Sequence, residues 1–177
     1  MTIALVVIGV IALGVATVLF SASQKPDTFR YERRTLVNAP PDRVHGLVDD
    51  FNAWRDWSPW EGMDPAMNRQ FSGTKRGVGA VYEWNGNKKV GRGRMEILDS
   101  VSPGHVFIKL DFFSPFEAHN RAEFTFRAVG NQTEVVWAMT GPQPFMSKVM
   151  TVVLNLEKLV GKDFEKGLVQ LKAKAES

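Results

Sequence analysis

Cysteine is absent from this chain of 177 residues. A disulfide framework, a thiolate nucleophile and a zinc–thiolate site are therefore excluded, whichever compartment holds the protein. Histidine is almost as scarce, and His45, His105 and His119 lack the spacing of a metal motif such as H-E-x-x-H. We expect neither a metal site nor a cofactor.

A strong excess of one charge is also lacking. The formal net charge is +3, and a nucleic-acid-binding domain would need a denser basic footprint. No internal repeat or low-complexity stretch occurs, and the composition, 44% hydrophobic and 23% charged, is ordinary for a globular chain. The sequence therefore predicts one folded domain of ordinary size that does not bind nucleic acid.

The most distinctive feature present is the apolar run 3–20, in which Thr17 is the one polar side chain. As a helix this run would extend about 27 Å, close to the hydrocarbon thickness of a bilayer. A cleaved signal peptide and a buried helix are the alternatives, but the run lacks the basic residues that begin a signal peptide. We interpret residues 2–23 as a transmembrane anchor, 24–28 as a linker and 29–177 as the folded domain.

The positive charges near the anchor predict its orientation. No Lys or Arg precedes the run, whereas Lys25, Arg30, Arg33 and Arg34 follow it. Because basic residues stay on the cytoplasmic side, we expect a single-pass membrane protein whose domain faces the cytoplasm. An exported or periplasmic domain is the alternative, since the tail before the run is too short for its lack of charge to be decisive.

The folded domain shows the pattern of an α+β protein. Alternating residues predict a strand at 29–37, and Pro41 and Asp42 favour a helix start just after it. Strands are then predicted at 68–71, 79–84, 90–98, 105–113, 121–129 and 133–140, which together indicate an antiparallel sheet of seven strands. The proline-free tail 145–174 predicts a long amphipathic helix, with an apolar stripe of Leu156, Leu159, Val160, Phe164, Leu168 and Leu171. This stripe should pack on the apolar face of the sheet.

The chain resembles the START-like superfamily in this order of elements and in several short stretches. The stretches are N38-A-P, D50-F-N-A-W, W57-S-P-W, G77-V-G-A-V-Y-E-W, G91-R-G-R-M and V160-G-K-D-F-E-K-G-L. Within the superfamily, the chain resembles the polyketide cyclase/dehydrase and lipid transport branch. The resemblance implies a helix-grip fold, in which the sheet wraps around the C-terminal helix and leaves an apolar cavity between them. Members of the superfamily range from lipid carriers to ring-closing enzymes, so the resemblance implies a fold and a cavity rather than one activity.

Aromatic residues and methionines are the candidate ligand-binding residues, because they supply a wall suited to a flat or chain-like apolar molecule. The three indoles between residues 54 and 60 could instead form a hydrophobic plug or an aromatic belt in the lipid interface. The full candidate set is Trp54, Trp57, Trp60, Tyr82, Trp84, Phe107, Phe113, Phe124, Phe126, Trp137, Met139, Met146, Met150 and Val153.

We assign no catalytic residue, and the leading hypothesis is membrane-tethered binding of a lipid, isoprenoid or polyketide-like molecule without covalent chemistry. The first alternative is a polyketide cyclase/dehydratase-like enzyme, which needs Glu83, Asp111, Glu117 or His119 in the cavity as a base. The second is a ligand-free interaction or assembly module, favoured if no apolar void exceeds about 300 Å³.

Basic residues on two predicted hairpins form a possible lipid-facing cluster or a plain solvated face. They are Lys75, Arg76, Lys88, Lys89, Arg92 and Arg94. The partners that we expect are therefore a small hydrophobic ligand and a membrane.

Overall fold

The N-terminal apolar run forms a helix in the computed structural model, which describes residues 2–177. This helix, α1, spans Thr2–Ser23, and its segment Ile3–Ser23 is long and apolar enough to cross a membrane. Its side chains are exposed along most of its length, and only Val18, Ser21 and Ala22 near its end are covered. An exposed apolar helix of this kind is shared by membrane spans and signal sequences.

Seven antiparallel strands form one sheet, as the alternation of the sequence predicted, and their order is β1-β7-β6-β5-β4-β3-β2. The chain crosses once from β1 to the opposite edge and then runs back through consecutive hairpins until β7 pairs with β1. The strands are β1 Thr28–Val37, β2 Asn68–Gly73, β3 Ala80–Asn85, β4 Arg92–Val101, β5 His105–Ser114, β6 Ala118–Val129 and β7 Gln132–Pro142.

The helices account for the rest of the domain. A short helix α2, Pro41–Asp49, follows β1 and leads into a 3₁₀ helix, Ala53–Asp56. The C-terminal tail was predicted as one helix, but it forms two, α3 Phe145–Leu154 and α4 Leu156–Glu176. They meet at Asn155, which has a left-handed backbone with φ 48° and whose side chain accepts a hydrogen bond from the backbone N–H of Lys158. Asn155 therefore ends one helix and caps the next.

The core lies between one face of the sheet and α4. Phe124 and Trp137 from the sheet meet Phe164, Leu168 and Leu171 from α4, and all five side chains are buried. The predicted stripe of α4 thus packs on the apolar face of the sheet, while Leu159 at its start stays about half exposed. The predicted α+β helix-grip fold, with a seven-stranded antiparallel sheet and a long C-terminal helix, is confirmed.

Strand register fixes which turns lie together. Thr28 pairs with Pro142, Phe112 with Ala118 and Arg92 with Asn85, so these strand ends lie at one end of the sheet. We call it the anchor end, because α1 enters there; it carries the turns 86–91 and 115–117. The far end carries the turns 74–79, 102–104 and 130–131.

The predicted basic cluster is divided by this register. Lys75 and Arg76 lie in the far-end turn between β2 and β3, whereas Lys88 and Lys89 lie in the anchor-end turn between β3 and β4. Consecutive hairpins turn at opposite ends of a sheet, so residues near in sequence are separated by the length of the strand that joins them. The six residues do not form a single patch.

Candidate ligand cavity

An apolar cavity of about 220 Å³ lies between the sheet and α4. Its floor is the sheet face that carries Met95, Leu110 and Ala122, and its lid is α4 with Val160 and Phe164. Lys89 in the turn 86–91 is the most exposed of the lining residues, whereas the sheet floor is buried. The cavity therefore opens between this turn and the first turns of α4.

Two indoles anchor the side wall by hydrogen bonds to α2. The Nε1–H of Trp54 donates to the carbonyl of Val48 at 2.9 Å, and that of Trp57 donates to the carbonyl of Leu47 at 2.9 Å. Carbonyls in the last turn of a helix have no partner within the helix, so the two indoles satisfy the end of α2 while they bury their rings. Trp54 lines the cavity, whereas Trp57 lies behind it in the core.

The opposite wall is a stack of aromatic rings. Trp137 lies against Phe124, with ring centroids 4.8 Å apart, and against Phe164 of α4 at 4.3 Å. Trp60 contacts Trp137 edge to face at 5.6 Å. Offset-stacked and edge-to-face arrangements are the favoured geometries of aromatic pairs, so this wall is rigid as well as apolar.

Trp84 completes the wall near the opening, and a glycine makes room for it. A Cβ atom on Gly93 would clash with the Trp84 ring and would lie 2.5 Å from the carbonyl oxygen of Asp111. The Trp84 Nε1–H donates to the carbonyl of Val90 at 3.0 Å, which ties the ring to the turn beside the opening. Gly93 is therefore required for close approach.

A buried polar triad stands at one side of the cavity. The Glu61 carboxylate accepts hydrogen bonds from Arg69 Nε at 2.6 Å and from the Tyr82 hydroxyl at 2.6 Å. Burial raises the pKa of Tyr82, and the adjacent Glu61 carboxylate raises it further, so the hydroxyl remains a donor at physiological pH. Both oxygens of Glu61 are engaged, so it is a structural acceptor rather than a ready base.

Asp163 is the second carboxylate at the cavity, and it lies on α4 near the opening. Burial raises its pKa, which the positive charge of Lys166 offsets only in part. Within the part of the chain that the structure describes, no side chain forms a hydrogen bond with it. Asp163 is therefore the carboxylate most available for a ligand or for proton transfer.

The predicted ligand-binding residues divide into three groups by position, and their binding role stays a prediction. Those that line the cavity are Trp54, Trp60, Tyr82, Trp84, Trp137 and Met139. Those buried in the core next to it are Trp57, Phe124 and Phe126. Those placed elsewhere are Phe107, Phe113, Met146, Met150 and Val153. The three indoles were also considered as a hydrophobic plug or as an aromatic belt in the lipid interface. Neither alternative fits all three, because Trp57 is a core residue and Trp60 faces the cavity.

Phe107 and Phe113 lie on the outer face of the sheet. They alternate along β5 with Val106, Ile108 and Phe112, which face the core or the cavity. The guanidinium of Arg121 covers Phe107 at 4.4 Å, and that of Arg92 lies over Phe113 at 5.6 Å. Their aromatic character alone made these two residues candidates for ligand binding. The period of two along the strand places their side chains on the outer face, away from the cavity.

Met146, Met150 and Val153 also lie outside the cavity. They belong to α3, which turns away from the sheet at Asn155, and their exposed fractions are 70%, 38% and 61%. The sequence suggested a continuous helix over the sheet, and the break at Asn155 overturns that placement. The cavity residues that the aromatic search missed are Ser58, Glu61, Met67, Lys89, Val90, Met95, Leu110, Phe112, Ala122, Val160, Asp163 and Phe164.

None of the four predicted candidates for a base lines the cavity in the part of the chain that the structure describes. Glu83 lies on the outer face opposite Tyr82, as its alternation indicated, and Glu117 is exposed in a turn. Asp111 is buried on the outer face, where it contacts His119 Nδ1 at 2.8 Å and Lys109 Nζ at 3.1 Å. Because Arg69 and Tyr82 engage both oxygens of Glu61, chemistry in the cavity would have to use Asp163 instead.

Comparisons with known proteins agree with this architecture. A family model described as polyketide cyclase/dehydrase and lipid transport matches residues 28–176. No curated protein sequence matches the chain. A protein from Chromobacterium violaceum is 17% identical with a TM-score of 0.59, covering 86% of this chain and 99% of its own.

Two further solved structures have the same fold. The Aha1 dimer from Colwellia psychrerythraea gives a TM-score of 0.61 at 15% identity, over 84% of this chain and 96% of that one. The di-domain ARO/CYC BexL from the BE-7585A biosynthetic pathway gives 0.65 at 14% identity, over 90% of this chain and 53% of that one. At such identities the similarity concerns the fold alone.

Proposed function

We propose that this chain, which belongs to the polyketide cyclase/dehydrase and lipid transport family, binds a small hydrophobic molecule between its sheet and α4 without changing it covalently. The observation that carries this proposal is the cavity itself, whose wall is built from aromatic rings and aliphatic side chains. Tyr82 and Asp163 add the few polar groups that orient a ligand in such a site.

The size of the cavity limits the ligand. An apolar cavity of about 150 Å³ suffices to hold a benzene molecule, so about 220 Å³ accommodates a single ring or a short alkyl segment. A longer lipid or isoprenoid would place one end in the cavity and extend through the opening beside Lys89. A molecule with several fused rings would not be enclosed.

The second part of the proposal is that α1 is a retained membrane anchor. Its exposed apolar surface has no partner within residues 2–177 apart from α3 at its end, and a bilayer would cover it. The linker of a few residues then keeps the cavity close to the membrane surface. With basic residues only after α1, we expect the domain on the cytoplasmic side, and a compartment-specific reporter fused after Ser177 tests this.

A cavity-filling substitution tests ligand binding. In Ala122→Leu, the added methylenes occupy the cavity from its floor, whereas Ala128→Leu adds the same atoms at an exposed position of the same strand. With fluorobenzene as the probe, ¹⁹F NMR of the detergent-extracted full chain should show saturable binding to the native protein and to Ala128→Leu. Ala122→Leu should lose at least tenfold in affinity, and equal binding by all three proteins would overturn the proposal.

Native mass spectrometry of the same preparation identifies a natural ligand. A co-purified lipid or isoprenoid that is lost in Ala122→Leu but kept in Ala128→Leu would assign it to the cavity. The volume of about 220 Å³, below the usual lower bound of about 300 Å³ for ligand pockets, is the observation that favours an interaction module instead. The absence of both a co-purified molecule and fluorobenzene binding would support that module.

A cyclase-like enzyme is supported by one observation, the available carboxylate of Asp163 at the cavity opening. A raised pKa suits a carboxylate for proton transfer near neutral pH. This alternative requires a substrate whose reacting carbon reaches Asp163 while most of the molecule stays outside the cavity. Turnover of a polyketide-like substrate that disappears in Asp163→Asn would favour it over non-covalent binding.

A further inference from the structure

We propose that α3 is a second membrane-contacting element, whose exposed apolar face lies in the interface of the bilayer that holds α1. This inference rests on the proposed anchoring by α1 and goes beyond it, because it fixes the orientation of the domain on the membrane. The contact surface, which we call the α3 face, consists of Met146, Met150, Val153 and Leu154.

The α3 face is a continuous apolar stripe. Its residues follow the spacing i, i+4, i+7 and i+8, which places them on one side of the helix. Their exposed fractions range from 38% for Met150 to 70% for Met146. Phe145 at the start of α3 is half exposed as well. An exposed apolar patch of this kind marks an interaction surface.

The charge distribution in α3 favours a lipid partner. Lys148 is the one charged residue in the helix, and it is turned inward, where it is buried and its Nζ lies 2.7 Å from the Asp27 carboxylate in the linker. The outward side of α3 therefore presents no charge to its partner. With 10 residues, α3 extends about 15 Å, which is too short to cross a bilayer but suits a helix in the interface.

The packing of α1 against α3 determines which partner the α3 face can reach. The end of α1 packs against α3, and Ala22 is completely buried there. The backbone N–H of Gln143, just before α3, donates to the carbonyl of Asp27 at 2.6 Å, which fixes the helix beside the linker. If α1 spans the membrane, the α3 face begins where α1 leaves the hydrocarbon, and it continues the apolar surface of α1.

Other residues at the anchor end fit the same surface. Phe116, in the turn 115–117, is 79% exposed, and Lys88 and Lys89 project from the neighbouring turn. An aromatic ring and lysines suit the headgroup region, where they contact acyl chains and anionic phosphates respectively. A second copy of this chain on the α3 face would leave Phe116 and both lysines without a role.

Docking through the anchor end would also turn the opening of the cavity toward the bilayer. Lys89 and Val90 line the cavity opening and belong to the turn at this end. An apolar molecule would then pass between the bilayer and the cavity with little exposure to water, which is costly for apolar surface. The ligand class that fits is a membrane-dissolved molecule with a ring or alkyl end.

The absence of native cysteine allows a direct test. Single variants Met150→Cys and Val153→Cys carry a nitroxide on the α3 face, Val10→Cys carries it within α1, and Asn131→Cys carries it in the far-end turn. The full-length proteins are reconstituted in vesicles of phosphatidylcholine and phosphatidylglycerol. Collision with oxygen and with a water-soluble nickel chelate is measured by electron paramagnetic resonance.

We expect labels at positions 150 and 153 to show the high oxygen and low nickel accessibility of the bilayer, as at position 10, and position 131 to be aqueous. Aqueous labels at 150 and 153 with a bilayer-exposed label at 10 would overturn this inference and leave the anchor intact. An aqueous label at position 10 would overturn both. Protection at 150 and 153 that vanishes at a high lipid-to-protein ratio would indicate contact between copies and would also overturn it.

Discussion

The indole of Trp137 in β7 stacks on the ring of Phe164 in α4 with centroids 4.3 Å apart and ring planes at 5°. Both side chains are 2% exposed, and both line the cavity. One aromatic pair thus joins the sheet to the C-terminal helix and shapes the space between them. The stability of the domain and the geometry of the cavity are therefore coupled through these two residues.

Replacing Phe164 by alanine should destabilise the domain strongly. Removal of a buried phenylalanine ring costs about 3–5 kcal/mol of unfolding free energy, because apolar contacts are lost and a cavity remains. Urea unfolding followed by tryptophan fluorescence measures this loss. Leu159→Ala is the matched control, since Leu159 lies on the same helix at 53% exposure and should change stability by less than about 0.5 kcal/mol. Equal effects of the two substitutions would contradict the proposed packing.

Two glycine substitutions separate the effect of close packing on stability from the effect of helix propensity. A Cβ atom at Gly167 in α4 would lie 2.7 Å from the Trp137 ring and 3.0 Å from Pro59, whereas one at Gly46 in α2 would meet nothing within 4 Å. Gly167→Ala should therefore cost about 1–3 kcal/mol by overpacking. Gly46→Ala should be neutral or stabilise by up to about 1 kcal/mol, because alanine favours helices.

Thermal unfolding of both glycine variants provides the measurement. A lowered midpoint for Gly167→Ala, together with an unchanged or raised midpoint for Gly46→Ala, is the expected pattern. Stabilisation by both substitutions would show that α4 has room to move away from the sheet. The cavity wall at Trp137 would then be less rigid than the stacked rings indicate.

Much of the fold was predictable because it depends on local patterns. Alternation in β6 and β7 indicated the apolar face of the sheet that carries Phe124 and Trp137, and the helical stripe indicated the face of α4 that carries Phe164 and Leu168. The period of two and the period of 3.6 each report which side of an element is buried. The helix break at Asn155 was not predictable in the same way, since asparagine in a left-handed conformation carries no signal as clear as proline.

The cavity was less predictable than the fold. A search for aromatic residues found Trp84 and Trp137, but it also selected Phe107, whose side chain lies under Arg121 on the outer face. Small or aliphatic residues such as Ala122 line the cavity because of where the strands place them, and their chemistry gives no hint of this. Asp163 was missed because it becomes notable only through its burial at the opening.

The outer-face pair of His119 and Asp111 predicts a specific titration. The hydrogen bond with Asp111 raises the pKa of His119 above its usual value of 6.5. Asp111→Asn should lower that pKa, and NMR titration of the histidine ring protons measures the change. Asp99→Asn is the control, since Asp99 contacts His105 at 2.9 Å and should leave His119 unchanged. An unchanged pKa of His119 in Asp111→Asn would contradict the contact.

The same pair predicts how stability varies with pH. Because the pKa of His119 is raised by folding, its contribution is complete below about pH 6.5 and is lost as the pH rises through the raised value. Burial raises the pKa of Asp111, but the hydrogen bonds from His119 and Lys109 outweigh it and lower the net value. The contribution of Asp111 is therefore lost as the pH falls below 3.8. In Asp111→Asn the Asp111 transition should disappear from the pH profile of unfolding free energy, and the His119 transition should shrink to the part that Glu117 supports.

Asp163 changes stability with pH in the direction opposite to Asp111, and it bears directly on function. Because burial raises its pKa, the folded protein holds this proton more tightly than the unfolded chain does, and stability falls as the pH rises from 3.8 through the raised value. Asp163→Asn should therefore stabilise the domain at pH 7, by less than about 1 kcal/mol because water screens a partly exposed carboxylate. At pH 3 the gain should vanish.

Unfolding free energies of the native protein and Asp163→Asn, measured from pH 3 to pH 8, test this dependence. Ligand binding and activity of the same variant separate the functional alternatives. If the cavity only holds an apolar molecule, Asp163→Asn should bind fluorobenzene as well as the native protein does or better, because an unfavourable charge has been removed from its wall. If Asp163 transfers a proton, the variant should be more stable and inactive, which is the combination expected where a strained group is kept for chemistry.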